Sequence, residues 1–177
     1  PTAYCNDMTW TGVTNNPTLD GSTALKVYGS LTLATGMIFN FGGTFSLEAT
    51  TTGKTITTAG IPINTSISFN GIGGGWTLLD NLTTPYYIYL NNGSLNTNSK
   101  TVNALSFSST VPSVRSLTLG ASVINLYNST GDIWRIQPTS MTLSAATSTI
   151  VGNGTSNQDF YGGGFTYNNI SFTGTAT

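Results

Sequence analysis

The sequence predicts an all-β chain wound as a right-handed parallel β-helix, a β-solenoid of about seven or eight coils. Three observations predict it. Apolar residues alternate with Ser, Thr and Asn in short runs bounded by Gly, Asn or Pro, a strand signature at spacings too short for crossover helices. Related runs recur: Ser116-Leu117-Thr118-Leu119 and Ser140-Met141-Thr142-Leu143 begin 24 positions apart, and Ser30-Leu31-Thr32-Leu33 opens in the same way. The composition is 38 % hydrophobic and only 6 % charged, too apolar for a disordered chain and rich in β-branched and aromatic residues. An antiparallel β-sandwich or jelly roll shares the alternation and turn density. The aligned copies favour the solenoid.

In chain order, Asn15-Asn16-Pro17 and Asp20-Gly21 mark the first turns. Leu25, Val27, Leu31 and Leu33 then alternate along one face, and Ile38, Phe39, Phe41, Phe45 and Leu47 follow, punctuated by Gly42-Gly43. Short runs around Ile56, Ile61-Pro62-Ile63 and Ile67-Ser68-Phe69 come next, then Tyr86 to Leu90 with the Asn91-Asn92-Gly93 turn. Beyond Val102 and Phe107 the repeat is clearest, in Ser116–Ile124 and Ser140–Ile150. A coil is only ~4.8 Å thick. It cannot bury its own inward side chains, so coils must stack and share a core. The inward set is Leu31, Leu33, Ile56, Ile67, Phe69, Leu117, Leu119, Ile124, Met141, Leu143 and Ile150.

One motif stands apart. Residues 165–174, after Gly162-Gly163-Gly164, echo residues 3–12 at the start, and Gly73–Thr83 echoes both. The chain, 1–177, reads as a single β-rich repeat domain that is one unit or window of a longer array. The shared motif makes Tyr4, Cys5, Met8, Trp10, Phe165, Tyr167, Ile170 and Phe172 the expected junction between subunits. Aligning Cys5 with Tyr167 adds a second period close to the whole chain.

Chemistry is sparse. The chain has no His and one Cys, so the usual general base, the Ser-His-Asp arrangement and zinc sites are not expected. No cofactor is implied, and no disulfide forms within the chain. Five basic residues, Lys26, Lys54, Lys100, Arg115 and Arg135, are spread too thinly for a nucleic-acid footprint. There is no apolar run of membrane-spanning length. Asp80 and Asp132 are the nominees for a glycosidase pair, and turn or cap roles compete with that reading. Thr55-Ile56-Thr57, Thr142 and Thr147/Thr149 do not read as one unbroken rank of the kind an ice-binding face needs.

Two surface constellations remain. Asn-X-Ser/Thr occurs at Asn64, Asn81, Asn92, Asn128, Asn153 and Asn169, where glycans would solvate an uncharged surface. Trp10, Trp76, Tyr86, Tyr87, Tyr89 and Trp134 would stack on sugar rings if exposed, or fill the core if not.

At Ser116–Ile124, Ser140–Ile150 and Gly162–Gly174 the chain resembles repetitive β-solenoid segments of very large bacterial and phage extracellular surface, adhesin and fibre proteins. The resemblance covers most of the chain through motifs of low information. It implies a β-helical stalk outside the cell or on a virion, and it carries over no catalytic residue. The expectation is a non-enzymatic extracellular stalk or filament subunit assembling end to end with identical chains. A carbohydrate-binding or adhesion module using surface aromatics is the second reading.

Overall fold

The computed structural model describes residues 1–173; Gly174, the last residue of the closing motif, lies outside them. The described residues wind as eight coils, each laying strands on up to three faces. The first coil holds β1 (Ala3–Cys5), β2 (Met8–Thr9) and β3 (Thr18–Gly21). The second holds β4 (Ala24–Val27), β5 (Leu31–Thr32) and β6 (Ile38–Phe41). The third has β7 (Thr44–Leu47) and β8 (Lys54–Thr57), and the fourth β9 (Ile67–Phe69), β10 (Gly75–Leu78) and β11 (Leu82–Thr83). The fifth has β12 (Tyr87–Leu90), β13 (Gly93–Asn96) and β14 (Val102–Ala104). The sixth has β15 (Ser106–Ser109), β16 (Arg115–Thr118) and β17 (Val123–Leu126). The seventh has β18 (Gly131–Ile136), β19 (Met141–Ser144) and β20 (Thr149–Gly152), and the eighth β21 (Gln158–Tyr161) and β22 (Asn169–Phe172).

The first face is an eight-stranded sheet from β1 to β21, and the second a seven-stranded sheet from β2 to β19. The third face starts with β3–β6 and continues through β11, β14, β17, β20 and β22. Between the two parts, Ile63 on the third coil donates its N–H to the Thr83 carbonyl at 2.9 Å. Every strand pairing among the described residues is parallel. That rules out the antiparallel sandwich. A right-handed wind is the sense expected where parallel strands of one sheet are joined.

The core is the stack of inward positions. Leu31, Leu33, Ile56, Ile67, Phe69, Leu117, Leu119, Ile124, Met141 and Ile150 are all buried, while Leu143 is half-buried near the last coils. Each buried side chain of this size contributes about 1.5–3 kcal/mol. The interior is closely filled: the void among Leu95, Phe107, Leu117 and Trp134 amounts to only about 10 Å³.

The repeat is looser than one fixed number. Tyr87 pairs with Ser106, 19 positions on, while Phe107 pairs with Trp134, 27 positions on. The 24-residue alignment needs one correction. Leu117 sits opposite Leu143 and Arg115 opposite Met141, so β19 is set two residues further along than the sequence copies imply. A shift of two keeps every side chain on its own face, so the inward set survives the change. Ile124 does lie opposite Ile150.

Polar ladders tie the coils together between the hydrophobic layers. Asn103 Nδ2 donates to Thr83 Oγ1, Asn125 Nδ2 to Asn103 Oδ1, and Asn153 Nδ2 to Asn125 Oδ1, at 3.1, 3.0 and 3.5 Å. On another corner, Asn91 Nδ2 donates to Asn70 Oδ1 at 2.9 Å. Where the second face turns into the third, the buried Thr97 hydroxyl meets Ser122 Oγ at 2.7 Å. Arg115 is the exception in an apolar interior. It is buried without a carboxylate, and its guanidinium donates to the carbonyls of Ser109, Ser113, Gln137 and Thr139. Those bonds staple the corner between the sixth and seventh coils, and burial pulls its pKa below the ordinary arginine value.

Glycine is required where the chain turns tightly over the coil beneath. A Cβ on Gly71 would stand 1.8 Å from the Ala49 carbonyl oxygen, and one on Gly43 would stand 1.8 Å from that of Thr23. No side chain fits at either position.

Candidate functional site

The expected junction residues lie at the two ends of the described solenoid. On the first coil, Tyr4 is exposed and meets Tyr28 at 6.5 Å in a tilted pair. Cys5 is half-buried, with Sγ 3.9 Å from the Lys26 carbonyl, and burial and then Asp7 push its thiol pKa up. Met8 and Trp10 are half-buried against the core. The Trp10 indole N–H is buried with no hydrogen-bond partner among the described residues.

On the last coil the second face has no strand. Phe165 and Tyr167 take its place and pack on the core. Tyr167 accepts a hydrogen bond from the Trp134 indole at 2.9 Å and donates its own hydroxyl to the Gly162 carbonyl at 2.9 Å. Trp134 is stacked between Phe107 and Phe160, at 4.7 and 6.1 Å. Ile170 and Phe172 continue the inward columns of Ile150 and Gly152 but remain 41 % and 52 % exposed.

The motif shared by the two ends is therefore not one structural element. Tyr4–Thr9 runs from the first face around a corner to the second. Gly162–Phe172 runs from that same corner across to the third face, as Gly73–Thr83 does. Cys5 lies on the first face and Tyr167 where the second would continue. The molecule-sized period read from aligning them is not a period of the fold.

The aromatic expectation is corrected in part. Trp76 and Trp134 are 1 % and 0 % exposed. They fill the core and cannot stack on a sugar in solvent. Tyr86 is exposed, whereas Tyr87 and Tyr89 are half-buried and stacked on each other at 5.7 Å.

The sequons differ in availability. Asn64, Asn81 and Asn169 are exposed, and Asn92, Asn128 and Asn153 are half-buried. The amides of Asn128 and Asn153 donate to the Asp132 carbonyl and to Asn125. The Asn81 side-chain oxygen caps the Thr101 N–H.

The carboxylates nominated for glycoside chemistry have other partners. Asp80 accepts from the Thr58 and Ala59 N–H groups at 2.8 and 2.7 Å, and Asp132 pairs with Arg135 at 2.7 Å. Asp132 stands in register with Asp159 on the neighbouring strand, a juxtaposition the sequence distance hides.

Two further features escaped the sequence. On the second face, Thr55, Thr77, Asn96, Thr118 and Ser144 form one unbroken outward column across five coils. It mixes hydroxyls with an amide. The corner from the third face to the first carries two adjoining grooves of about 480 and 430 Å³ that share Ser22 and Gly42. Gly42-Gly43 followed by Pro85-Tyr86 was the available signal: a corner that is minimal on one coil and bulky further along the stack.

No protein-family model, no curated protein and no solved structure matches the chain. Among the described residues no group of three or more His, Cys, Asp and Glu is placed to hold a metal ion, and no helix is long and apolar enough to cross a membrane.

Proposed function

We propose that the chain is a non-enzymatic structural protein, a stalk or filament subunit that stacks end to end with identical chains. The observation that carries this reading is the exposure of the inward column at the last coil. Ile170 and Phe172 occupy core positions yet face solvent, and β21 and β22 each have a single strand neighbour among the described residues. Such an edge combines unpaired backbone groups with apolar side chains, and it is completed by adding another coil. The opening coil offers complementary material: Met8 and Trp10 half-buried and Tyr4 exposed. The continuous eight-stranded sheet joins every coil to the next and side-chain ladders reinforce the fourth to the seventh, which supports a load-bearing role, since tension would be shared by many parallel hydrogen bonds.

The surface suits a setting outside the cell, on a cell surface or on a virion. Small hydroxyl and amide side chains replace charge there, and the exposed sequons Asn64, Asn81 and Asn169 would carry glycans if the chain passes through a glycosylating pathway. The likeness to adhesin and fibre segments points the same way.

The test is sedimentation and negative-stain microscopy across a concentration series. End-to-end rods that shorten when Phe172→Asp is introduced are expected. Dispersed monomers at every concentration would overturn the reading.

A further inference from the structure

We propose that the twin groove on the corner between the third and first faces is a binding site for a neutral oligosaccharide. The inference does not rest on end-to-end assembly.

The site arises from a mismatch between coils. On the first two coils this corner is two residues, Ser22-Thr23 and Gly42-Gly43, with small or no side chains. On later coils it is Asn64-Thr65 and Pro85-Tyr86, which stand proud of it. The step leaves a saddle. Its crest is Ser22 and Gly42, common to both grooves. On the third-face side, Asp20, Asn40 and Asn64 line the hollow and Tyr86 walls it. On the first-face side the lining is Thr44, Ser66 and Ser68, with Tyr89 as the wall.

The chemistry selects a sugar. Sugar rings offer an apolar C–H face and a rim of hydroxyls that both donate and accept. Tyr86, 46 % exposed, offers a ring face on one side of the crest. Tyr89, braced by stacking on Tyr87, offers another. Asp20 and Asn40 lie in register on adjacent strands, so their polar ends repeat at the strand spacing of ~4.8 Å. Asp20 accepts from the Gly21 N–H through one oxygen at 2.7 Å, which fixes its orientation toward the groove. Amide and hydroxyl groups supply the remaining donors and acceptors. Neither groove is lined by Lys or Arg, and the one carboxylate repels anions, which selects a neutral glycan over an acidic one. A row of hydroxyls and amides beside an aromatic face matches the hydroxyl rim and C–H face of a sugar ring. A glycan attached at Asn64 would occupy the same hollow, so the two readings of that residue exclude each other.

The experiment is calorimetric or NMR titration of the chain, made in a host that does not N-glycosylate, with a panel of neutral gluco-, xylo-, manno- and chito-oligosaccharides and their uronic-acid counterparts. At least one neutral oligosaccharide is expected to bind. Tyr86→Ala should weaken it about tenfold. Gly42→Phe should abolish it. The added Cβ meets only the Gly21 carbonyl oxygen at 3.8 Å and the backbone there is not left-handed, so the ring fills the saddle without disturbing the coil. Tyr127→Ala, an exposed tyrosine outside both grooves, should leave binding unchanged. An unchanged thermal midpoint in all three variants confirms folding. The proposal fails if no neutral member of the panel binds, if uronic acids bind better, or if Tyr86→Ala and Gly42→Phe bind like the parent chain.

Discussion

The first and last coils carry related sequence motifs, but fold them differently. In the first coil the motif bends from the first face to the second, and its aromatic residues end on the surface or against the rim of the core. In the last coil the glycine triplet turns that same corner, and Phe165 and Tyr167 hook inward where a strand is missing. One indole, Trp10, has a buried N–H with no partner. Trp134, on the seventh coil beneath the last, has its N–H bonded to Tyr167 and both ring faces covered. Related strings of residues thus leave the same corner in two ways, with a strand after it in the first coil and an inward aromatic hook in the last.

The comparison is most directly broken by truncating each tryptophan. Trp134→Ala should cost about 4 kcal/mol, because it empties a sealed aromatic layer and removes the hydrogen bond that the Tyr167 hydroxyl accepts. Trp10→Ala should cost about 1 kcal/mol, since the side chain is half-exposed and already lacks a partner. Chemical denaturation of both variants checks this, and equal losses would erase the distinction between the ends. Arg115→Met ranks next, at about 3 kcal/mol, because buried carbonyls of the sixth and seventh coils lose their donor. A loss near zero would show that those carbonyls find water instead. Removing one rung of the asparagine ladder, Asn125→Ala, should cost about 1 kcal/mol by the same measurement.

The smallest effect separates the ends by pH. Burial raises the pKa of Tyr167 above the ordinary tyrosine value of 10.0, against the lowering effect of the Trp134 hydrogen bond. Cys5 is raised from 9.0 by burial and then by Asp7. In both cases the folded pKa lies above the unfolded one. The stabilisation is complete below the unfolded value and is lost as pH rises through the folded value. The first coil should therefore loosen from about pH 9 upward and the last from about pH 10 upward. Cys5→Ser and Tyr167→Phe should each remove one component from the alkaline limb of a stability–pH curve, and an unchanged limb in both would refute the assignment.

Much of the fold was legible because its cause is local. Alternation names the inward face, and coil stacking follows from the thinness of each coil, so Leu31, Ile56, Phe69 and Ile124 could be placed without coordinates. The register could not be read to better than two residues. Sliding Leu117 from Met141 to Leu143 changes no side chain's facing, so the pattern is blind to it. Trp76 and Trp134 were ambiguous for a related reason: a large ring suits a core or a platform, and its parity is clear only once the strand start is known. Arg115 was hidden because alternation gives it an inward place while its charge argues for an outward one, and only four carbonyls converging from the sixth and seventh coils resolve the conflict. The groove was least legible. It depends on corners from different coils being compared side by side, and residues 42 and 86 are neighbours only after the chain has wound.

The unequal coils have a last consequence. Height along the axis is set by the hydrogen bonds between strands, at roughly 4.8 Å per coil. The 19-residue step from Tyr87 to Ser106 and the 27-residue step from Phe107 to Trp134 therefore climb the same distance. Extra residues widen the girth and leave the altitude of everything above them untouched. As a spacer, the molecule counts turns rather than amino acids, so new corner loops can be grafted onto it while whatever it carries stays at the same height.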